Sequence, residues 1–202
     1  MRWLTFVLLA GVMLVLAAGC GGEGPSRQAQ HLSLVLGELL PAATDLPGFT
    51  ISGTVETSAV QSAVEKALPG DPLAIGTVVL QQEGQSAAAV LAVMSNEEES
   101  REAVRGGFRA AIYRDLVGDP EALITRGERR DNLGVGDEEW AQEVTLSTVE
   151  GVRSGEFLAF ARGPVVAVVW TVASGDGRPP SSLDLARLLE ERIDRELAGV
   201  SS

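Results

Sequence analysis

The chain has 202 residues, with 28 acidic side chains against 16 basic ones, one histidine and one cysteine, for a formal net charge of −12. A surface of that sign repels phosphate backbones, which argues against nucleic acid as a partner, and a single cysteine excludes an internal disulfide. The length suits one domain with a proper core, held by burial alone.

The first twenty residues have three parts. Arg2 gives a positive start, residues 3–18 carry no charge, and Leu16-Ala17-Ala18-Gly19-Cys20 closes the run with small residues ahead of the cysteine. This is the build of a secretory signal, and the apolar run is shorter than the ~20 residues a spanning helix needs. Leu16 to Cys20 resembles the lipobox of bacterial lipoprotein precursors. That resemblance implies cleavage between Gly19 and Cys20 and a thioether-linked diacylglycerol on Cys20, with the freed amine open to a further acyl chain such as palmitate. One acyl chain holds a protein to a membrane only marginally, whereas two or more hold it stably. The expected organisation is a signal peptide at 1–19, a lipid-anchored flexible tether at 20–30 and one globular domain at 31–202. Cleavage removes one base and no acid, so the mature chain is a unit more negative, and the anchor must hold the membrane without help from surface charge.

Past the glycine-rich tether, Leu32, Val35, Leu36 and Leu39 predict a helix over 28–40, stopped by Pro41. Leu46-Pro47-Gly48-Phe49 is a turn signal, and alternation after it predicts a strand over 49–56 with Phe49, Ile51 and Val55 on one side. A short helix is expected over 58–68. Residues 73–82 and 85–95 form a predicted hairpin about Glu83-Gly84; the second arm is apolar at both parities and so should be covered on both faces. Asn96 with Glu99 is a capping box, and Glu97, Glu98 and Glu99 suit a helix start. That helix is expected to reach about Val117, with Val104, Phe108, Ala111 and Ile112 inward and Gly106-Gly107 packed close to the sheet. Gly118-Asp119-Pro120 breaks the chain, 122–130 is ambiguous with a strand among its readings, and Leu133 to Asp137 is a loop. Three strands follow at 138–149, 152–162 and 165–173. The first has one wet face or lies at an edge; the last, rich in valine, is central. A closing helix over 182–197 turns Leu185, Leu188, Leu189, Ile193 and Leu197 inward, with Arg187, Glu191 and Arg195 spaced for ion pairs outside. The fold class expected is therefore α+β: an antiparallel sheet of five to seven strands with helices on both faces.

No residue set spells out catalysis. His31 would have to serve any Ser/His/Asp or Cys/His site, and at the start of the first helix it reads as a solvated residue. Without a second histidine or a free thiol, zinc is not expected. Gly134-Val135-Gly136 lacks the third glycine and the helix of a dinucleotide loop. Glu97-Glu98-Glu99 and Asp137-Glu138-Glu139 lack the ligand spacing of a calcium loop. Arg101, Arg105 and Arg109 share a helix face that could meet an anion, with Glu97 and Glu102 close enough to offset it. Trp140, Trp170, Phe157 and Phe160 read as core, with an apolar ligand cleft as the other reading. No cofactor is called for.

Leu46-Pro47-Gly48-Phe49, then Gly134-Val135-Gly136-Asp137-Glu138, then Phe160-Ala161-Arg162-Gly163 leading into a valine-rich strand and a final helix, resembles a broad group of envelope lipoproteins and extracytoplasmic sensor domains of bacteria. Some of that group have a PsbP-like α/β/α sandwich. The resemblance implies that fold and a binding or accessory role; with the lipobox and the aromatic cluster, the reading is a non-catalytic module outside the cell membrane that serves a small apolar ligand or an envelope protein partner. The alternative is a carboxylate-based hydrolase of cell-wall glycan; a third reading is a structural partner that docks through a sheet edge.

Overall fold

The computed structural model describes residues 24–52, 54–106, 123–149, 151–175 and 177–200. The leader with Gly19 and Cys20, residues 107–117 of the expected third helix with Phe108, Arg109, Ala111 and Ile112, and the break at 118–120 lie outside the described residues.

The described helices are α1 (Arg27–Leu39), α2 (Thr54–Ala67), α3 (Glu97–Arg105) and α4 (Ser182–Val200). The strands are β1 (Thr50–Ile51), β2 (Ala74–Gln82), β3 (Gln85–Val93), β4 (Leu123–Arg130), β5 (Glu138–Thr148), β6 (Gly151–Arg162) and β7 (Val165–Ser174). They form one seven-stranded sheet in the order β1-β2-β3-β7-β6-β5-β4, with every neighbouring pair antiparallel.

Parity along the strands divides the core in two. In β3 and β7, Ala89, Leu91, Val165, Ala167 and Val169 pack under α1 and α4, against Leu32, Leu36, Leu189 and Ile193. The alternate residues Ala88, Val90, Ala92, Val166 and Val168 pack on the other face against Val64 of α2 and Val104 of α3. Helices thus cover both faces, and β7 lies at the middle of the sheet, as its valines require. Burying a Val or Leu contributes about 1.5–3 kcal/mol, against 0–1 kcal/mol for an exposed ion pair. Packing on these two strands therefore outweighs the surface charges in holding the sandwich together.

Each helix is positioned by local chemistry. Ser26 Oγ accepts the Ala29 N–H at 3.1 Å and starts α1, which takes residues 27–30 from the expected tether. No basic residue sits in the last turn of α1. Arg192 of α4 supplies the cation instead: its Nη1 donates to Leu40 O at 2.6 Å, and its Nη2 donates to both oxygens of Asp45 at 3.0 and 2.9 Å. A guanidinium there satisfies a free carbonyl at the helix end and complements its partial negative charge. At α3, Asn96 Oδ1 accepts the Glu99 N–H at 3.0 Å, and Glu99 Oε2 accepts the N–H of Ser95 rather than of Asn96. Asn96→Ala is expected to lower unfolding stability by about 1 kcal/mol, measured by urea denaturation.

The early strand departs from expectation. The strand over 49–56 is reduced to Thr50–Ile51, because residues 54–56 belong to α2. Thr54 and Val55 favour strands, but that preference is weak and yields to tertiary placement. Ile51 is 62% exposed while Phe49 is buried, so they do not share a face; β1 is an edge strand that, among the described residues, pairs with β2 alone. The turn before it is as read: the Phe49 N–H donates to Leu46 O at 3.0 Å, and Gly48 has φ +89°, a conformation open to glycine at that position. Of the two readings of β5 the wet face holds: Trp140, Val144 and Leu146 are buried while Glu143 is exposed, and the ambiguous segment pairs outside it as β4, with a register shift between Arg126 and Arg129. A side chain on Gly106 would meet its own helix at Glu102 O, 3.2 Å away, not the sheet.

Candidate functional site

A cavity beside paired polar groups lies over β5, β6 and β7 on the α4 face. Register builds it. Glu143 stands opposite Glu156 and Thr145 opposite Ser154 across β5 and β6, and Glu156 stands opposite Thr171 across β6 and β7. These residues share the parity of Ala141, Leu158 and Val169, which pack under α1 and α4. The chain then arrives through Arg178 to Ser181 and enters α4 at Ser182 on the rim. The cavity is open to solvent and has a volume of about 620 Å³.

Glu156 is fully engaged. Its Oε1 is paired with Arg130 Nη2, and its Oε2 accepts a hydrogen bond from Ser182 Oγ. Ser181 Oγ accepts the Asp184 N–H at 3.1 Å and so caps α4. Thr171 is 1% exposed, and its hydroxyl has no hydrogen-bond partner among the described residues. Gly155 stands beside it because a Cβ there would run into the Thr171 carbonyl oxygen.

A second polar cluster sits at the other end of the sheet. The Gly134 to Asp137 loop, with Gly134 at φ +73° and Gly136 at φ +69°, delivers Asp137 to the β6–β7 turn. Asp137 accepts from Arg162 Nη1 at 2.8 Å and from the Gly163 N–H at 3.0 Å, while its own N–H donates to Ala161 O at 2.7 Å. Arg162 also donates from Nε and Nη2 to Asp194 of α4, at 2.6 and 3.1 Å. The hydrogen bond to Asp194 holds its guanidinium above the ordinary arginine range despite partial burial. Arg101 lies 3.4 Å from Glu97 and 4.0 Å from Asp137. Arg105 pairs with Glu138 and Glu98, and the hydrogen bond to Glu138 raises it likewise. Acids and bases here neutralise one another, which makes this cluster a clamp between α3, α4 and the β6–β7 turn.

The residues singled out by the sequence separate accordingly. Arg101 and Arg105 serve the clamp, as do Asp137 and Glu138. Glu139 accepts the Leu133 N–H at 2.9 Å and shapes the loop. His31 is not merely solvated: its Nε2 lies 3.0 Å from Glu196 Oε2 and ties α1 to α4. The four aromatic residues are split by the sheet. Trp140 stacks on Phe157 at 5.4 Å and donates from Nε1 to Val104 O at 3.0 Å, with Trp170 on the same face. Phe160 is buried on the opposite face. Trp140 and Phe160 therefore share no apolar cleft. The cavity instead holds Arg130, Glu143, Glu156, Thr171 and Arg178, which sequence reasoning missed; only the alternation in β5 placed Glu143 and Thr145 on a common face.

No protein-family model matches the chain, and a search of curated proteins finds no significant match. Among solved structures it is similar to the extracellular domain of PknH from Mycobacterium tuberculosis. The TM-score is 0.59 with 10% identity, over 86% of this chain and all of that one. At that identity the likeness is one of fold: an α+β sandwich shared with an extracellular domain.

Proposed function

We propose that the protein is a non-catalytic binding or accessory module of the cell envelope, anchored outside the membrane by acyl chains on Cys20. The observation that carries the binding role is the cavity of about 620 Å³ with convergent charged and hydroxyl groups, a size and composition suited to a small ligand. Its position supports the anchored arrangement. The Ser26 N–H donates to Ser95 O, so the tether leaves beside the end of β3. Ser154 and Thr171 lie toward the start of β6 and the end of β7, at the other end of the sheet. The residues from Cys20 to Ser26, stretched at ~3.5 Å each, span roughly 25 Å. An anchored domain would thus present its cavity away from the lipid surface. The mixed lining favours a polar ligand over the small apolar one implied by the sequence.

A carboxylate-based hydrolase is the second reading, favoured by Glu143 and Glu156 facing each other across β5 and β6. It is the weaker one, since both Glu156 oxygens are already engaged by Arg130 and Ser182, leaving none to protonate a leaving group. Fractionation tests the anchored reading. Wild-type protein is expected in the membrane pellet and released by detergent, and Cys20→Ser, exported behind an unrelated cleavable signal in place of residues 1–19, in the soluble extracytoplasmic fraction. Retention of Cys20→Ser in the pellet at the wild-type level would contradict it.

A further inference from the structure

We propose that the cavity over β5, β6 and β7 binds a small zwitterion, its carboxylate at the N-terminus of α4 and its ammonium group at Glu143. The inference rests on the binding-module reading and names the ligand class. Charge bookkeeping in the cavity comes first. Arg130 and Glu156 close on each other. Arg178 and Glu143, which also line the space, carry no ion pair among the described residues. One cation and one anion remain, so the complementary ligand carries both signs.

The cationic side is reinforced by α4. A helix start carries a partial positive charge and undonated amides. Ser181 Oγ takes only the Asp184 N–H, which leaves the amides of Ser182 and Leu183 at the start of the helix, both on residues that line the cavity. The second, independent pointer is Thr171. A buried hydroxyl without a partner costs about 1–3 kcal/mol, and this one, 1% exposed, lines the same cavity. A ligand carboxylate oxygen supplies the missing acceptor.

Other ligand classes fit less well. A phosphate dianion brings two negative charges to a site with one uncompensated cation and leaves Glu143 unanswered, in a chain of net charge −12. A simple cation meets Arg178 and the positive helix end. An apolar molecule would strip water from Glu143, Arg178 and Thr171 without replacing it, which is costly. A neutral sugar leaves both charges unanswered. The chemistry of a carboxylate with an ammonium group is shared by a free amino acid and by a short peptide with both termini free, and the volume admits either.

Calorimetric titration of the detergent-solubilised mature protein tests this with five probes: alanine, alanyl-alanine, acetate, inorganic phosphate and glucose. Alanine or alanyl-alanine is expected to bind at least ~10-fold more tightly than the other three, about 1.4 kcal/mol; which of the two binds better identifies the source as free amino acid or peptide. Thr171→Val is expected to weaken that binding ~10-fold without lowering the melting temperature, since it removes an unsatisfied hydroxyl. Glu143→Gln should weaken the zwitterion and leave acetate unchanged. Tightest binding by acetate, phosphate or glucose, no heat from any probe, or full affinity in Thr171→Val would overturn the inference. If no probe binds while the wild-type protein still fractionates with membranes through Cys20, the ligand assignment alone has failed.

Discussion

Phe157→Ala and Phe160→Ala are each expected to lower the free energy of unfolding by about 4 kcal/mol. Both side chains are fully buried, and they are the largest groups β6 sends into the two cores. Phe160 fills the space under α1 and α4. Phe157 lies against Trp140 with centroids 5.4 Å apart and planes inclined by 20°, a contact worth a further 0.5–1.5 kcal/mol or so, so its loss should be the larger. A domain of this size is stable by about 5–15 kcal/mol, and the double variant should not fold. Urea unfolding checks this through a lowered midpoint at constant slope. A change below ~1 kcal/mol in either variant would mean that the sheet does not separate two closed cores.

Gly155→Ala is the second large effect, expected near 3 kcal/mol by overpacking. The added methyl would point at the Thr171 carbonyl oxygen and lie 2.7 Å from Val172 Cα. Both neighbours are backbone of the central strand, so relief requires β6 and β7 to part. Gly37→Ala is the control. Gly37 lies inside α1 with open space around it, and alanine there should stabilise by roughly 0.5–1 kcal/mol. Gly155→Ala should also weaken ligand binding, because the strand it displaces carries Thr171 at the cavity. Measuring both variants by the same denaturation separates crowding from any general effect of replacing glycine.

Much of the sheet was legible in the sequence because period-two patterning is a local signal. Ala87 to Met94 and Val165 to Trp170, apolar at both parities, pointed to strands covered on both sides, and they lie side by side at the middle of the sheet. The helix faces of Leu32, Leu36 and Leu39 and of Leu185, Leu189 and Ile193 were likewise readable from spacing. What misled was propensity at an edge: Thr54 and Val55 favour strands, yet lie in α2. The cavity was hidden for a different reason. Glu143, Glu156 and Thr171 are far apart along the chain and meet only through the register of β5, β6 and β7. Thr171 looks like one polar residue in a valine run; its missing hydrogen bond exists only in three dimensions. Arg192, which caps α1 from α4, is invisible for the same reason, since one helix supplies what the other lacks.

The proposed role depends on where the domain is held, and the mass of the mature N-terminus measures that directly. Protein extracted from membranes and cleaved with protease should yield an N-terminal peptide beginning at Cys20 and heavier than its sequence by a diacylglyceryl group, with or without a further acyl chain. A peptide carrying an unmodified Cys20 thiol, or one still joined to residues 1–19, would contradict the account.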